Sequence, residues 1–202
     1  MQSYRYLIFH KPYGVLSTFT DTAGRPTLKD YISVPGVYAA GRLDMDSEGL
    51  MLLTNDGRLI QRLTDPRWHL PKTYLVQVEG VPGLEQLASL ERGILLRGVK
   101  TRRCQVMVIP EPDLPPRQMK TITPHGETSW LRMVIFEGKK HQIRHMTAAV
   151  GLPTLRLVRI AIGELTLGDL KPGEWRFLQE DEIIRLKQKY HKKLLLGHYG
   201  IV

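Results

Sequence analysis

Apolar residues along this chain recur at a spacing of two more often than at three or four, so strands dominate the reading. Residues 4–10 combine aromatic and aliphatic side chains and predict an opening strand, stopped by Lys11-Pro12-Tyr13-Gly14. Residues 26–32 predict a short helix entered through Pro26. Val34-Pro35-Gly36 then starts an extended passage into Gly41-Arg42-Leu43-Asp44. Residues 49–54 form an apolar run of buried-strand length, closed by the turn signal Asn55-Asp56-Gly57, and residues 59–63 fall in a short helix after it. A strand is predicted over 73–78, and a helix over 83–90 with Leu84, Leu87 and Leu90 on one side. Residues 105–109 are strand-like, and the proline-rich 110–124 reads as a surface loop joining two strands.

The second half keeps the strand habit. Residues 130–136 alternate, and Glu137-Gly138-Lys139-Lys140 turns that strand into a helix over about 141–150. Gly151 stands where a helix-ending glycine belongs, with Pro153 beyond it. Residues 155–167 predict one long or bent strand, 174–178 another, and residue 180 onward a basic helix or tail. Many strands, few long helices and hairpin-like connections argue for an α+β fold with a largely antiparallel central sheet flanked by helices.

Composition narrows the class. The 202 residues, 42% of them apolar, suit one large domain or two halves sharing a core. No apolar run approaches the roughly 20 residues that span a bilayer, and the first residues lack a signal-peptide pattern, so the expected location is cytoplasmic. The single cysteine, Cys104, excludes an internal disulfide framework and a cysteine-based zinc site. Arg102 and Arg103 beside it would favour a reactive thiolate, whereas the neighbouring strand favours a half-buried packing residue. A net charge of +9 and a pI near 9.7 point to a polyanionic partner, RNA or DNA, with a solvated basic surface as the alternative.

The chemistry concentrates near Asp44. Residues 41–50 place Asp44, Asp46 and Glu48 beside Arg42 in a short loop that runs into the apolar strand at 49–54. A loop anchored by a buried strand is a rigid mount for a side chain that must act. A carboxylate next to a guanidinium stays ionised, which suits a nucleophile or the support of an oxocarbenium-like centre better than a general acid. A solvated acidic turn explains the same composition. A calcium loop does not, because its ligand spacing and central glycine are missing. His141 and His145 stand four apart on a predicted helix, as two zinc ligands would, but Gln142 replaces the glutamate of a zinc protease and no third ligand is evident. No metal is expected.

Residues 40–50, from Ala40-Gly41-Arg42-Leu43-Asp44 to Gly49-Leu50, resemble the hallmark segment of the RsuA/RluB/RluE/RluF group of pseudouridine synthases. Three further segments agree in order. Phe9-His10-Lys11-Pro12-Tyr13-Gly14-Val15 is similar to the group's opening motif, and Lys72-Thr73-Tyr74-Leu75-Val76 to the one that carries its active-site tyrosine. Residues 137–146, continued by 155–160, are similar to the third. The resemblance covers nearly the whole chain. It implies a pseudouridine synthase fold with a cleft across the sheet, and a cofactor-free isomerase that converts a uridine of ribosomal RNA to pseudouridine.

By the same resemblance Asp44 is the catalytic carboxylate, Tyr74 packs on the target base and serves as a general base, and Arg144 pairs with Asp44 to hold it ionised. Arg42 reaches the space left by the extruded base, and Lys11, Lys139, Lys140, His141 and Gln142 are expected at the RNA. Residues 1–180 are expected to form the catalytic domain and 181–202 a basic helix or tail. The N-terminal S4 module common in the group is expected to be absent, as in its RluE subtype, which points to large-subunit RNA; a monomer is expected. Two other classes compete: a non-catalytic RNA-binding or ribosome-assembly protein on the same scaffold, and a carboxylate glycosidase.

Overall fold

The structure is a computed structural model and describes residues 3–65, 67, 70–117 and 124–196. Its frame is one mixed sheet. Strand β1 (Tyr6–Lys11) pairs antiparallel with β3 (Glu48–Thr54), and β3 also takes the two-residue β2 (Tyr38–Ala39). Strand β4 (Lys72–Glu79) lies antiparallel between β8 (Thr128–Ile135) and β9 (Thr154–Ile162). The outer strands are β7 (Gln105–Ile109) against β8 and β11 (Trp175–Phe177) against β1, giving the order β11-β1-β3-β9-β4-β8-β7. A separate hairpin joins β5 (Leu95–Leu96) to β6 (Val99–Lys100).

The expected α+β class with a mostly antiparallel sheet is the fold observed. Strands β1 and β3 are buried on both faces, which explains why they read as continuous apolar runs. Leu7, Phe9, Met51 and Leu53 face one core with Val76, Leu131 and Met133. Tyr6, Ile8, Leu50 and Leu52 face a second with Leu59, Leu63 and Ile162. The helices cover these faces: α1 (Gly57–Thr64), capped by the Asp56 carboxylate, α2 (Leu84–Arg92), α3 (Gln142–Ala149) and α4 (Glu180–Leu196). Among the described residues no helix is long and apolar enough to cross a membrane.

The two halves of the sheet meet at one short parallel seam, where Glu48 lies opposite Val158 and Gly49 opposite Arg159. Gly49 has φ +104°, and a Cβ there would overlap the Arg159 carbonyl oxygen and come within 2.8 Å of its amide nitrogen. Only glycine allows the two backbones to close at this point. The seam directly follows residues 41–47, so the loop is anchored at the centre of the sheet.

Three expectations change. The short helix at 26–32 is a single 3-10 turn, Leu28–Asp30, capped reciprocally by Thr27 and Asp30. Residues 155–167 are a hairpin and not one strand: Gly163 (φ +60°) turns β9 back into β10 (Leu165–Thr166). Leu84 is 87% exposed; of the apolar residues read together on α2, Leu87 packs partly buried against the core and Leu90 alone is fully buried. Of the two readings of Cys104 the structure bears out the packing residue: its Sγ donates to the Leu90 carbonyl, and its pKa is pushed up to about 11 by burial and the acidic neighbours Glu91 and Glu137. Residues 118–123 of the proline-rich loop and 197–202 of the basic tail lie outside the described residues.

Candidate active site

An open cleft of about 1000 Å³ lies across the sheet seam, and Asp44, Tyr74, Arg42, Lys139, Lys140 and His141 all line it. The loop that presents Asp44 is tied down on both sides. Buried Ser17 donates to the Leu43 carbonyl (2.6 Å) and accepts from the Leu43 amide (3.1 Å), fixing the residue before Asp44. The Gly14 amide donates to the Met45 carbonyl (2.8 Å), fixing the residue after it, and the Ser47 amide closes a turn onto the Asp44 carbonyl (3.1 Å). A carboxylate mounted this way loses little freedom when it acts.

Arg144 does not reach Asp44. Its Nη2 donates to the Asp46 carbonyl (2.7 Å), its Nη1 to the Thr154 carbonyl (3.3 Å), and its Nε stands 3.1 Å from the Asp46 carboxylate without the alignment of a hydrogen bond. The guanidinium therefore braces the far end of the loop against β9. The basic side chain beside Asp44 is instead His141, whose Nδ1 lies 3.7 Å from its carboxylate. His141 occupies the cap position of α3 in the left-handed conformation (φ +51°), which turns its ring toward the loop. No arginine or lysine stands within ion-pair distance of Asp44 among the described residues.

Two residues expected at the RNA are internal. Lys11 is fully buried, and its Nζ donates to the carbonyls of Pro12, Val15 and Met45 at 2.8, 2.7 and 3.4 Å. Burial lowers its pKa to about 7 against the opposing pull of Glu48, Asp46 and Asp44. It is a tether between the first turn and the Asp44 loop, closed to phosphate. Gln142 is also buried, donating to Glu137 (2.6 Å) and accepting from the Lys139 amide (3.0 Å), so it closes the turn that starts α3. Arg42, Lys139 and Lys140 are exposed at the cleft, where a polyanion can reach them. His145 is exposed beside His141, with ring centroids 6.1 Å apart.

Potential ligand atoms of Asp44, Asp46 and His141 lie within 4.8 Å of one another, the donor set best placed to hold a cation. Arg144 already sits on the Asp46 carboxylate and competes for it.

Sequence reasoning missed a buried charge cluster beneath the loop. Glu48, 3% exposed, receives Arg156 through both carboxylate oxygens (3.1 and 2.9 Å) and Arg117 through one. Arg117 arrives from the β7–β8 connection and stacks over the Tyr13 ring at 4.5 Å. Removing the acid would leave two arginines without their partner, and breaking such a cluster costs more than its presence contributes. Glu48→Gln is expected to lower stability by about 3 kcal/mol. The check is a denaturant midpoint that falls while the slope stays constant; an unchanged midpoint would refute the clamp.

An anchored carboxylate and a tyrosine facing one open, cation-rimmed cleft suit attack at a sugar carbon with a nucleobase held beside it. Residues 5–149 match the RNA pseudouridylate synthase family, and the chain belongs to that family. It is an isomerase that converts uridine in RNA to pseudouridine. The chain is 50% identical to ribosomal large subunit pseudouridine synthase E of Vibrio parahaemolyticus, over 89% of this chain and 76% of that protein. It is 39% identical to ribosomal small subunit pseudouridine synthase A of Salmonella typhimurium, over 89% of this chain and 72% of that one. A crystal structure of a pseudouridylate synthase superposes with a TM-score of 0.78 at 31% identity, covering 92% of this chain and 75% of that one.

Proposed function

We propose that this isomerase modifies a specific uridine of large-subunit 23S ribosomal RNA, with Asp44 as its catalytic carboxylate. The observation that carries the reading is the placement of Asp44 and Tyr74 on the walls of one cleft, above a seam that glycine alone permits. The choice of large-subunit RNA rests on the higher identity to the large-subunit relative, 50% against 39%.

The target uridine swings out of the folded RNA into the cleft at a cost of about a few kcal/mol, and Arg42 at the cleft fills the space it leaves. Tyr74 packs against the uracil. Asp44 then either attacks C1′ or takes the proton from C2′, and the bond from C1′ to N1 breaks. The base turns and C5 joins C1′ as the Asp44–C1′ ester bond breaks or, on the other route, as Asp44 returns the proton to C2′; the C5 proton then passes to Tyr74 acting as a base, and N1 is reprotonated. Arg144 is a positioning residue acting through the Asp46 backbone. Lys139, Lys140 and His141 take the RNA at the rim. The rearrangement is redox-neutral, and the reading needs neither metal nor cofactor.

Residues 1–180 constitute the catalytic domain and 181–202 an additional basic contact for RNA, in an enzyme that works as a monomer in the cytoplasm. Mapping pseudouridines in a strain lacking this protein tests the assignment. One large-subunit site should become unmodified and return when the gene is restored; a full set of large-subunit pseudouridines in the deletion strain would refute it.

A further inference from the structure

Arg159 lies at the centre of the site, yet nothing in the steps above uses it. On β9 it stands opposite Gly49 across the seam and opposite Tyr74 on the other side, so its side chain shares the cleft with the tyrosine. It is 2% exposed. Its Nε donates to the Leu50 carbonyl (2.7 Å), while its buried Nη2 has no hydrogen-bond partner. Among the described residues no carboxylate stands within ion-pair distance of it. A desolvated guanidinium with an orphaned N–H is costly in the free protein, since both the charge and the donor go uncompensated. Lys72, two residues before Tyr74, lines the same cleft, where its Nζ donates to the Leu70 carbonyl at 3.3 Å. Burial and the neighbouring Arg159 pull its pKa down to about 8.

The reaction creates an anion in that space. Whether Asp44 attacks C1′ or removes the C2′ proton, the pair from the C1′–N1 bond leaves with the base. The detached uracil therefore carries a negative charge shared over N1, O2 and O4 until C5 bonds to C1′. We propose that Arg159, assisted by Lys72, is the electrostatic acceptor for this departing uracil anion, its free Nη2 donating to a carbonyl oxygen of the base. Donors fixed in advance where charge develops strengthen most in the transition state, because they need no reorganisation when the bond breaks. The cost of the unpaired donor in the empty cleft is recovered when that charge appears. The inference depends on the isomerisation itself and not on the route taken by Asp44.

The test compares leaving groups. Arg159→Met and Arg159→Lys are assayed with excess enzyme on transcribed ribosomal RNA made with uridine or with 5-fluorouridine, whose base is a better anion; because the fluorine replaces the C5 proton, the rate followed on both is loss of the C1′–N1 bond. Arg159→Met should slow conversion of the uridine RNA about 10²- to 10³-fold with filter binding of that RNA unchanged. The loss should be at least about tenfold smaller on the 5-fluorouridine RNA, which needs less help to depart, and Arg159→Lys should recover part of the rate. Equal losses on both RNAs would overturn the proposal. So would weakened binding with a shallower salt dependence, the mark of a phosphate contact. If circular dichroism shows that Arg159→Met does not fold, Lys72→Met takes the same comparison, and a difference between the two RNAs or its absence decides.

Discussion

Asp44→Asn should abolish tritium release from RNA labelled at uridine C5, by at least about 10⁴-fold, while the protein melts and binds RNA as before. The asparagine side chain has nearly the same shape, so the Ser17 and Met45 ties that hold the loop remain. What is lost is the negative charge. Without it the side chain neither attacks C1′ nor serves as a base for C2′, and the other two acids of the loop are already engaged, Glu48 by two arginines and Asp46 by Arg144. Release at more than about a hundredth of the wild-type rate would refute Asp44 as the catalytic group. His141→Ala offers a contrast: its imidazole is the nearest basic group but lies 3.7 Å away, so its loss should cost far less than the loss of the carboxylate.

Gly49→Ala should prevent stable folding, with a loss of about 5 kcal/mol or more. The added methyl would run into the Arg159 backbone at the seam, and alanine would also have to adopt φ +104°. Neither neighbour can yield: β3 is buried along its whole length and β9 is paired on both sides. The expected result is little soluble protein, or a denaturation midpoint far below the wild type. A folded Gly49→Ala within about 1 kcal/mol of the wild type would show that the seam is looser than described. A milder version that folds should still lose activity, since the seam sets the height of the Asp44 loop.

The strands were readable because their periodicity is local. Residues 49–54 had to be a buried strand on composition alone, and Gly151 had to end the helix before it, with φ +78° as found. The β9–β10 hairpin was hidden because apolar alternation continues through Gly163. Asp44 and Tyr74 were legible through motif resemblance, but their sharing one cleft was not. Arg144 was assigned to the wrong acid of the loop for a similar reason. Two carboxylates two residues apart are equivalent in sequence, and only the path of α3 against β9 selects Asp46.

Burial of charge was the least visible property. Lys11, Glu48 and Arg159 carry the hydration preferences of surface residues, and nothing adjacent in sequence shows that carbonyls or counter-ions will meet them. Their partners lie up to 109 residues away. By itself the sequence determined most of the strands, the α+β class, the basic character and the acidic segment that carries Asp44. The tertiary structure alone decided which cations face solvent and which are enclosed, because desolvation depends on how distant strands converge. That convergence, at the Gly49–Arg159 seam, also placed an unpaired guanidinium beside the tyrosine.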